Sequence, residues 1–177
     1  MEQVIEALLF FGKADFELHL LGKVSKEIEH FFMQTLKGKN LNIKFHEPIS
    51  PQDLVPFASH FDIGLATELS QPMNRDICLT NKVFTYIQSG LAIIASKTSA
   101  QSSLFGQYPN MGMMVEILNT QSIVLALKSY LGDKDLLNSH KTNALLHADK
   151  ELNWESEESI FLSVIEKTLN DEALKNP

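Results

Sequence analysis

At 177 residues with a formal net charge of -7, the chain suits one α/β domain and is too acidic overall for nonspecific attraction to nucleic acid. Hydrophobic residues make up 44% and charged residues 21%, which excludes a disordered chain, and a single cysteine, Cys78, excludes an internal disulfide. The histidines lack metal-ligand spacing, no apolar run reaches the ~20 residues that span a bilayer, and Glu2 and Glu6 break any basic apolar leader, so a soluble cytoplasmic protein is expected.

The first element reads as a helix, because Val4, Ile5, Ala7, Leu8 and Leu9 recur at helical spacing and Gly12 is placed to end it. Residues 16–21 form the first strand, stopped by Gly22. Ser25 can cap the next helix, with Glu27 and Glu29 in its favourable first turn and an end near Gly38. Residues 41–45 make a second strand. Ser50, Pro51 and Asp53 then supply a cap, a first-turn proline and an acceptor three residues after the cap, which predicts a helix start.

Residues 62–67 make a third strand, followed by a polar loop through Gln71, Pro72, Asn74 and Arg75 and a helix over 80–89 that Gly90 closes. The unbroken apolar run 91–95 is the pattern of a central parallel strand buried on both faces, so the sheet is expected to be deepest there. A short helix over 99–105 and a strand over 113–116 come next. Helices over 119–131, 134–147 and 155–169 complete the chain, with a polar tail expected to fray. Alternating strands and helices predict an α/β, Rossmann-like fold: a parallel sheet of about five strands, helices on both faces and a helical carboxyl-terminal region.

Ligands of open parallel sheets bind beyond the carboxyl ends of the strands, so the loops after Leu21, Phe45, Thr67 and Ala95 hold the candidates. Residues 74–82 are the most informative. Lys82 falls in the first turn of a helix, where the partial charge is already positive; a diphosphate would resolve that conflict, and so would a neighbouring acid. The plainer reading makes Lys82 a solvated surface lysine beside a cap formed by Thr80 or Asn81. Glu68 either accepts hydrogen bonds from sugar hydroxyls or caps a turn. Ser96, Thr98 and Ser99 either hold phosphate oxygens or cap the next helix. His46 follows a strand into the same crevice, without a partner in the sequence to activate it. The Gly-rich dinucleotide fingerprint, the phosphate-loop lysine and the nucleophile elbow are all missing.

Residues 61–66 (FDIGLA), 79–86 (LTNKVFTY) and 90–96 (GLAIIAS), with 45–48 (FHEP) and 153–155 (NWE), resemble the carboxyl-terminal domain of group 1 glycosyltransferases of the GT-B fold. The resemblance covers most of the chain and implies one domain over 1–177 that binds a nucleotide diphosphate sugar, with no metal implied. A separate amino-terminal domain, absent here, would hold the acceptor. It places Asn81 and Lys82, with the preceding loop of Asn74, Arg75 and Thr80, near the diphosphate or sugar, turns Glu68 toward the same cleft, and brings the loop at His46 toward the base. Thr85 stands where the family often has a glutamate that bonds the ribose hydroxyls.

A second departure is that the family's domain opens with a strand that this chain lacks. In the usual doubly wound order its loss leaves a gap between the second and fourth positions, unless the sheet closes up or another chain fills it. The chain is therefore expected to be a fragment or truncated product, inactive alone. Three functions follow from the resemblance: donor binding for sugar transfer, a non-catalytic scaffold or partner-binding module, or, more distantly, an epimerase or phosphorylase relative.

Overall fold

The computed structural model describes residues 2–11, 16–36, 38–39 and 41–173; the side chains of Met33 and of residues 171–173 fall outside the description. Gly12, the expected helix terminator, and the end of the polar tail lie outside it. The elements run α1 (Glu2–Leu9), β1 (Glu17–Leu21), α2 (Lys26–Thr35), β2 (Asn42–His46), a 3-10 turn (Pro51–Asp53), α3 (Leu54–Ala58), β3 (Ile63–Ala66), α4 (Met73–Ile77) and α5 (Asn81–Gln88). Then follow β4 (Ala92–Ser96), α6 (Ser99–Gln107), β5 (Gly112–Val115), α7 (Thr120–Gly132), α8 (Lys134–Lys150) and α9 (Trp154–Ala173).

The expected α/β architecture is present, with parallel pairing throughout, but the strands fall into two sheets. β1 pairs with β2, and β3, β4 and β5 form a second sheet in that order. No backbone pairing joins β1 to β3. The division lies where the sequence leads one to expect a gap in the doubly wound order.

β4 is the middle strand of the larger sheet and every one of its residues is buried. Successive side chains point to opposite faces, so Ala92 and Ile94 pack with Val4 and Leu8 of α1 and Ile123 and Leu127 of α7. Ile93 and Ala95 pack on the other face with Val83 and Ile87 of α5 and Ala144 of α8. Both faces being covered, the run from Leu91 to Ala95 is unbroken, and the one polar residue of the strand, Ser96 at its carboxyl end, is buried with its hydroxyl hydrogen-bonded.

Local chemistry sets the helix ends. Ser25 Oγ accepts a hydrogen bond from Ile28 N at 3.3 Å, as its position before α2 predicts. The start at Ser50 differs from expectation: neither Ser50 nor Asp53 caps through its side chain, and Asp53 N instead donates to Ser50 O at 2.9 Å, closing a 3-10 turn. Part of the polar loop is also helical, as α4. The expected last helix forms as α9, but Ile160, Phe161, Val164 and Leu169 on it are exposed.

Gly90 ends α5 with φ at 67°, in the left-handed region. A Cβ there would also stand 2.7 Å from Leu145 Cγ, although Leu145 is half exposed and can move aside. The Gly90→Ala variant is expected to lose about 1–2 kcal/mol, mostly from the backbone conformation. Urea unfolding should show a lower midpoint at an unchanged slope.

Between α7 and α8 the Tyr130 hydroxyl and His140 Nδ1 lie 2.9 Å apart in a buried setting. Burial lowers the His140 pKa below its ordinary 6.5 and raises that of Tyr130. The folded protein therefore holds His140 neutral where the unfolded chain already takes a proton. This contribution is complete above pH 6.5 and is lost as the pH falls through 6.5 toward the lowered folded value. Melting temperatures measured from pH 8 to pH 5 should fall less steeply in His140→Gln than in the parent.

Candidate functional site

The carboxyl ends of β3 and β4 are tied together. Glu68 N donates to Ser96 Oγ at 2.5 Å, and Ser96 Oγ donates to Ala66 O at 3.2 Å. Ser96 thus acts as a cross-strand clasp that fixes the backbone at Glu68, a role its position before α6 does not reveal. Thr98 takes the cap of α6, accepting from Gln101 N at 3.3 Å.

Fixed in this way, the Glu68 carboxylate reaches the start of α5. Its Oε1 accepts from Thr80 Oγ1 at 3.2 Å and lies 2.5 Å from Lys82 Nζ. Thr80 occupies the N-cap position but makes no side-chain cap, because its hydroxyl points to Glu68. The unfavourable placement of Lys82 at a helix amino terminus is thereby offset by an internal acid. The Glu68 side chain is 13% exposed and that of Lys82 37%, so the pair sits at the boundary between core and solvent.

Asn81, Lys82 and Thr85 line a cavity of about 930 Å³ that runs from this cluster along β1 and β3. Thr85 Oγ1 donates to Asn81 O at 3.2 Å, one helical turn back, so its hydroxyl is engaged within α5. Tyr86 also lines the cavity, and burial, reinforced by the charge of Glu68, raises its phenol pKa above the usual 10. The Tyr86 ring lies against Gly64, where a Cβ would come within 2.5 Å of Tyr86 Cγ; glycine in β3 is what lets this ring close the floor of the cavity. Sequence patterning does not single out Tyr86, because its role depends on the packing of α5 across β3.

Asn74 and Arg75 stand apart. They are exposed on α4 and do not line the cavity. Their neighbour Asp76 accepts from Ser99 N at 3.1 Å and pairs with Ser99 Oγ, which pins α4 to the start of α6.

His46 also lies away from Lys82, but the structure supplies the partner that the sequence lacks. His46 Nε2 and His19 Nδ1 share a hydrogen bond of 2.7 Å, and His19 Nε2 is 2.5 Å from Glu17 Oε1. Lys44 Nζ is 2.8 Å from the same Glu17 oxygen, and Lys44 together with His19 holds the Glu17 carboxyl below the usual carboxylate range. The relay arises because β1 and β2 pair in register, so that Glu17 and His19 share a sheet face with Lys44 and His46. Phe57 packs edge-on against His46, with ring centroids 5.0 Å apart. Among the described residues no group of three or more His, Cys, Asp or Glu side chains is placed to hold a metal ion.

No protein-family model matches the sequence, and no curated protein matches it. The fold, however, is similar to the crystal structure of WaaG, a glycosyltransferase involved in lipopolysaccharide biosynthesis, with a TM-score of 0.67 and 17% identity. The similarity takes in 89% of this chain and 41% of that one, so the chain spans less than half the length of this neighbour. The chain thus has a glycosyltransferase-like α/β fold, and no helix among the described residues is long and apolar enough to cross a membrane.

Proposed function

We propose that this chain is the donor-side domain of a group 1 glycosyltransferase of the GT-B fold, binding a nucleotide diphosphate sugar beyond the carboxyl ends of β3 and β4. Transfer would be completed against an acceptor held by a further domain or chain. The observation that carries the proposal is the Glu68–Thr80–Lys82 cluster, which stands at the amino end of α5 on the rim of a cavity of about 930 Å³. The fold that positions it is glycosyltransferase-like.

The chemistry is an exchange of partners. Lys82 leaves Glu68 for a phosphate oxygen, where its ammonium and the first-turn amides of α5 stabilise the charge that develops on the departing diphosphate. Glu68, released from Lys82, accepts a hydroxyl hydrogen from the sugar. Thr85 offers the ribose a single oxygen that is already bonded to Asn81, so ribose recognition is weaker than a carboxylate would provide. Asn74 and Arg75, exposed on α4 outside the cavity, would meet only a part of the donor that projects beyond it, and His46, with His19 behind it, would approach the base. No metal is invoked.

Titration calorimetry of the 177-residue chain with ADP, GDP and UDP tests the reading. Saturable binding of at least one is expected; no binding of any, by this chain or by the intact gene product, would overturn the donor assignment. One observation favours a second reading, a non-catalytic scaffold: Lys82 is already neutralised by Glu68, so the fold needs no anion to be electrostatically consistent. On that reading all three titrations are flat.

A further inference from the structure

The side chains shared between β1 and β2 constrain where their protons sit. Glu17 is held below the usual carboxylate range, first by Lys44 and then by His19, so at neutral pH its carboxylate only accepts hydrogen bonds. It accepts from Lys44 Nζ at 2.8 Å, from Asn42 Nδ2 and from His19 Nε2 at 2.5 Å. His19 Nε2 must therefore carry a hydrogen.

His19 Nδ1 and His46 Nε2 lie 2.7 Å apart. The two ring planes are within 10° of each other with centroids 5.0 Å apart, so this bond lies in the plane of both rings, the direction in which a ring N–H points. Two arrangements with a neutral His46 satisfy it. With His19 neutral, its bare Nδ1 accepts from His46 Nε2–H, and His46 Nδ1 is left as a bare acceptor. With His19 cationic, its Nδ1–H donates to His46 Nε2, and His46 Nδ1 then carries the hydrogen. Lys44 decides between them at neutral pH: its ammonium already balances Glu17 through the same Oε1 atom, and a second cation beside it is disfavoured. The neutral chain is the resting state.

The surroundings hold the rings in line. Phe61 lies 4.4 Å from His19 and Phe57 lies 5.0 Å from His46, centroid to centroid. Of the titratable groups nearby, Glu17 and Lys44 share the sheet face, Glu47 follows His46 on the exposed loop, and His60, after α3, bonds Pro56 O through Nδ1 at 2.9 Å. Among the described residues no hydrogen bond reaches His46 Nδ1, and His46 is partly exposed.

We infer that Glu17 and His19 are positioning residues that set the hydrogen-bond polarity of His46: in the resting chain His46 Nδ1 accepts, and one proton taken up by the pair turns it into a donor. The proton arrives from solvent at His46 Nδ1, the Nε2 proton crosses to His19 Nδ1, and the positive charge comes to rest on the ring that touches Glu17. His46 itself stays neutral. A ligand that meets His46 at neutral pH must therefore bring an N–H or O–H group. On the nucleotide reading, on which this last step alone rests, that group is an N–H of the base.

Long-range proton–nitrogen NMR spectra of the full isotope-labelled chain show which ring nitrogens carry hydrogen. At pH 8 both His19 and His46 are expected as Nε2–H tautomers. As the pH falls toward 5, His19 is expected to become doubly protonated while His46, at the same midpoint, exchanges Nε2–H for Nδ1–H. Glu17→Gln removes the counter-charge, so in that variant the proton is expected to stay on His46, which becomes the imidazolium. Three results would overturn the inference: His46 as the Nδ1–H tautomer at pH 8, His46 doubly protonated in the parent while His19 is neutral, or the same course in Glu17→Gln as in the parent. The nucleotide step is read separately, by comparing whichever of ADP, GDP and UDP binds at pH 8 with its analogue methylated on the base N–H. The analogue is expected to bind roughly 2- to 10-fold more weakly. Equal affinity would remove the base as the ligand of His46, whereas flat titrations of all three parents would overturn the donor reading and leave the polarity of His46 to the NMR result.

Discussion

The Ile94→Ala variant is expected to lose about 2–5 kcal/mol of unfolding free energy, because a large side chain is deleted where the surroundings cannot collapse onto the void. Ile94 is 0% exposed and lies on the middle strand, paired with Leu65 on one side and Met113 on the other. Its side chain faces the cluster that joins α1, α7 and the larger sheet. For a domain whose whole stability is on the order of 5–15 kcal/mol, such a loss would move the denaturation midpoint far toward water. Ile160→Ala, at a residue 59% exposed on α9, serves as the comparison and should stay within about 0.5 kcal/mol. Equal losses in the two variants would contradict the placement of the core around β4.

The second large effect concerns ligand affinity. If Lys82 exchanges Glu68 for phosphate, Lys82→Ala removes a charge-assisted hydrogen bond of about 1.5–3 kcal/mol and should weaken nucleoside diphosphate binding by roughly 10- to 100-fold. Glu68→Gln should act in the opposite direction, tightening binding of the bare diphosphate several-fold because the competing carboxylate is gone. Its gain for the nucleotide sugar should be smaller, because the acceptor of the sugar hydroxyl is weakened at the same time.

Calorimetry at low and high salt separates these contributions: the salt dependence should flatten in Lys82→Ala, since an ion contact with the ligand has been lost. Lys82→Ala also strands the nearly buried Glu68 carboxylate and should lower stability, which the double variant with Glu68→Gln should recover in part. An unchanged affinity and salt dependence in Lys82→Ala would show that this lysine is only Glu68's partner.

Most element boundaries were legible because each depends on neighbours in the chain. The run through β4 is readable because a strand covered on both faces favours apolar residues throughout, polar Ser96 entering only at its end with its hydroxyl hydrogen-bonded. Ser25 and Gly90 announce helix ends because a cap and a positive φ are local demands. The five-residue helix α4 leaves no signal in the sequence, since it is too short to show a period among polar residues. The helical start after Ser50 is also legible, with Pro51 in its first turn, but the side-chain cap is not made, because a proline and an acidic residue after a serine suit a 3-10 turn as well as a capping box.

The sequence by itself determined the alternation of strands and helices, the deepest strand and the neighbourhood in which polar residues gather, since all of these are written in periodicity and in turn chemistry. Only the tertiary structure decided that Glu68 meets Lys82 and Thr80, that His19 and Glu17 stand behind His46, that Ser96 clasps two strand ends, and that β1 and β3 belong to separate sheets. Those pairings join residues far apart in the chain. They follow from which strands lie adjacent and in what register, and no local pattern encodes that choice.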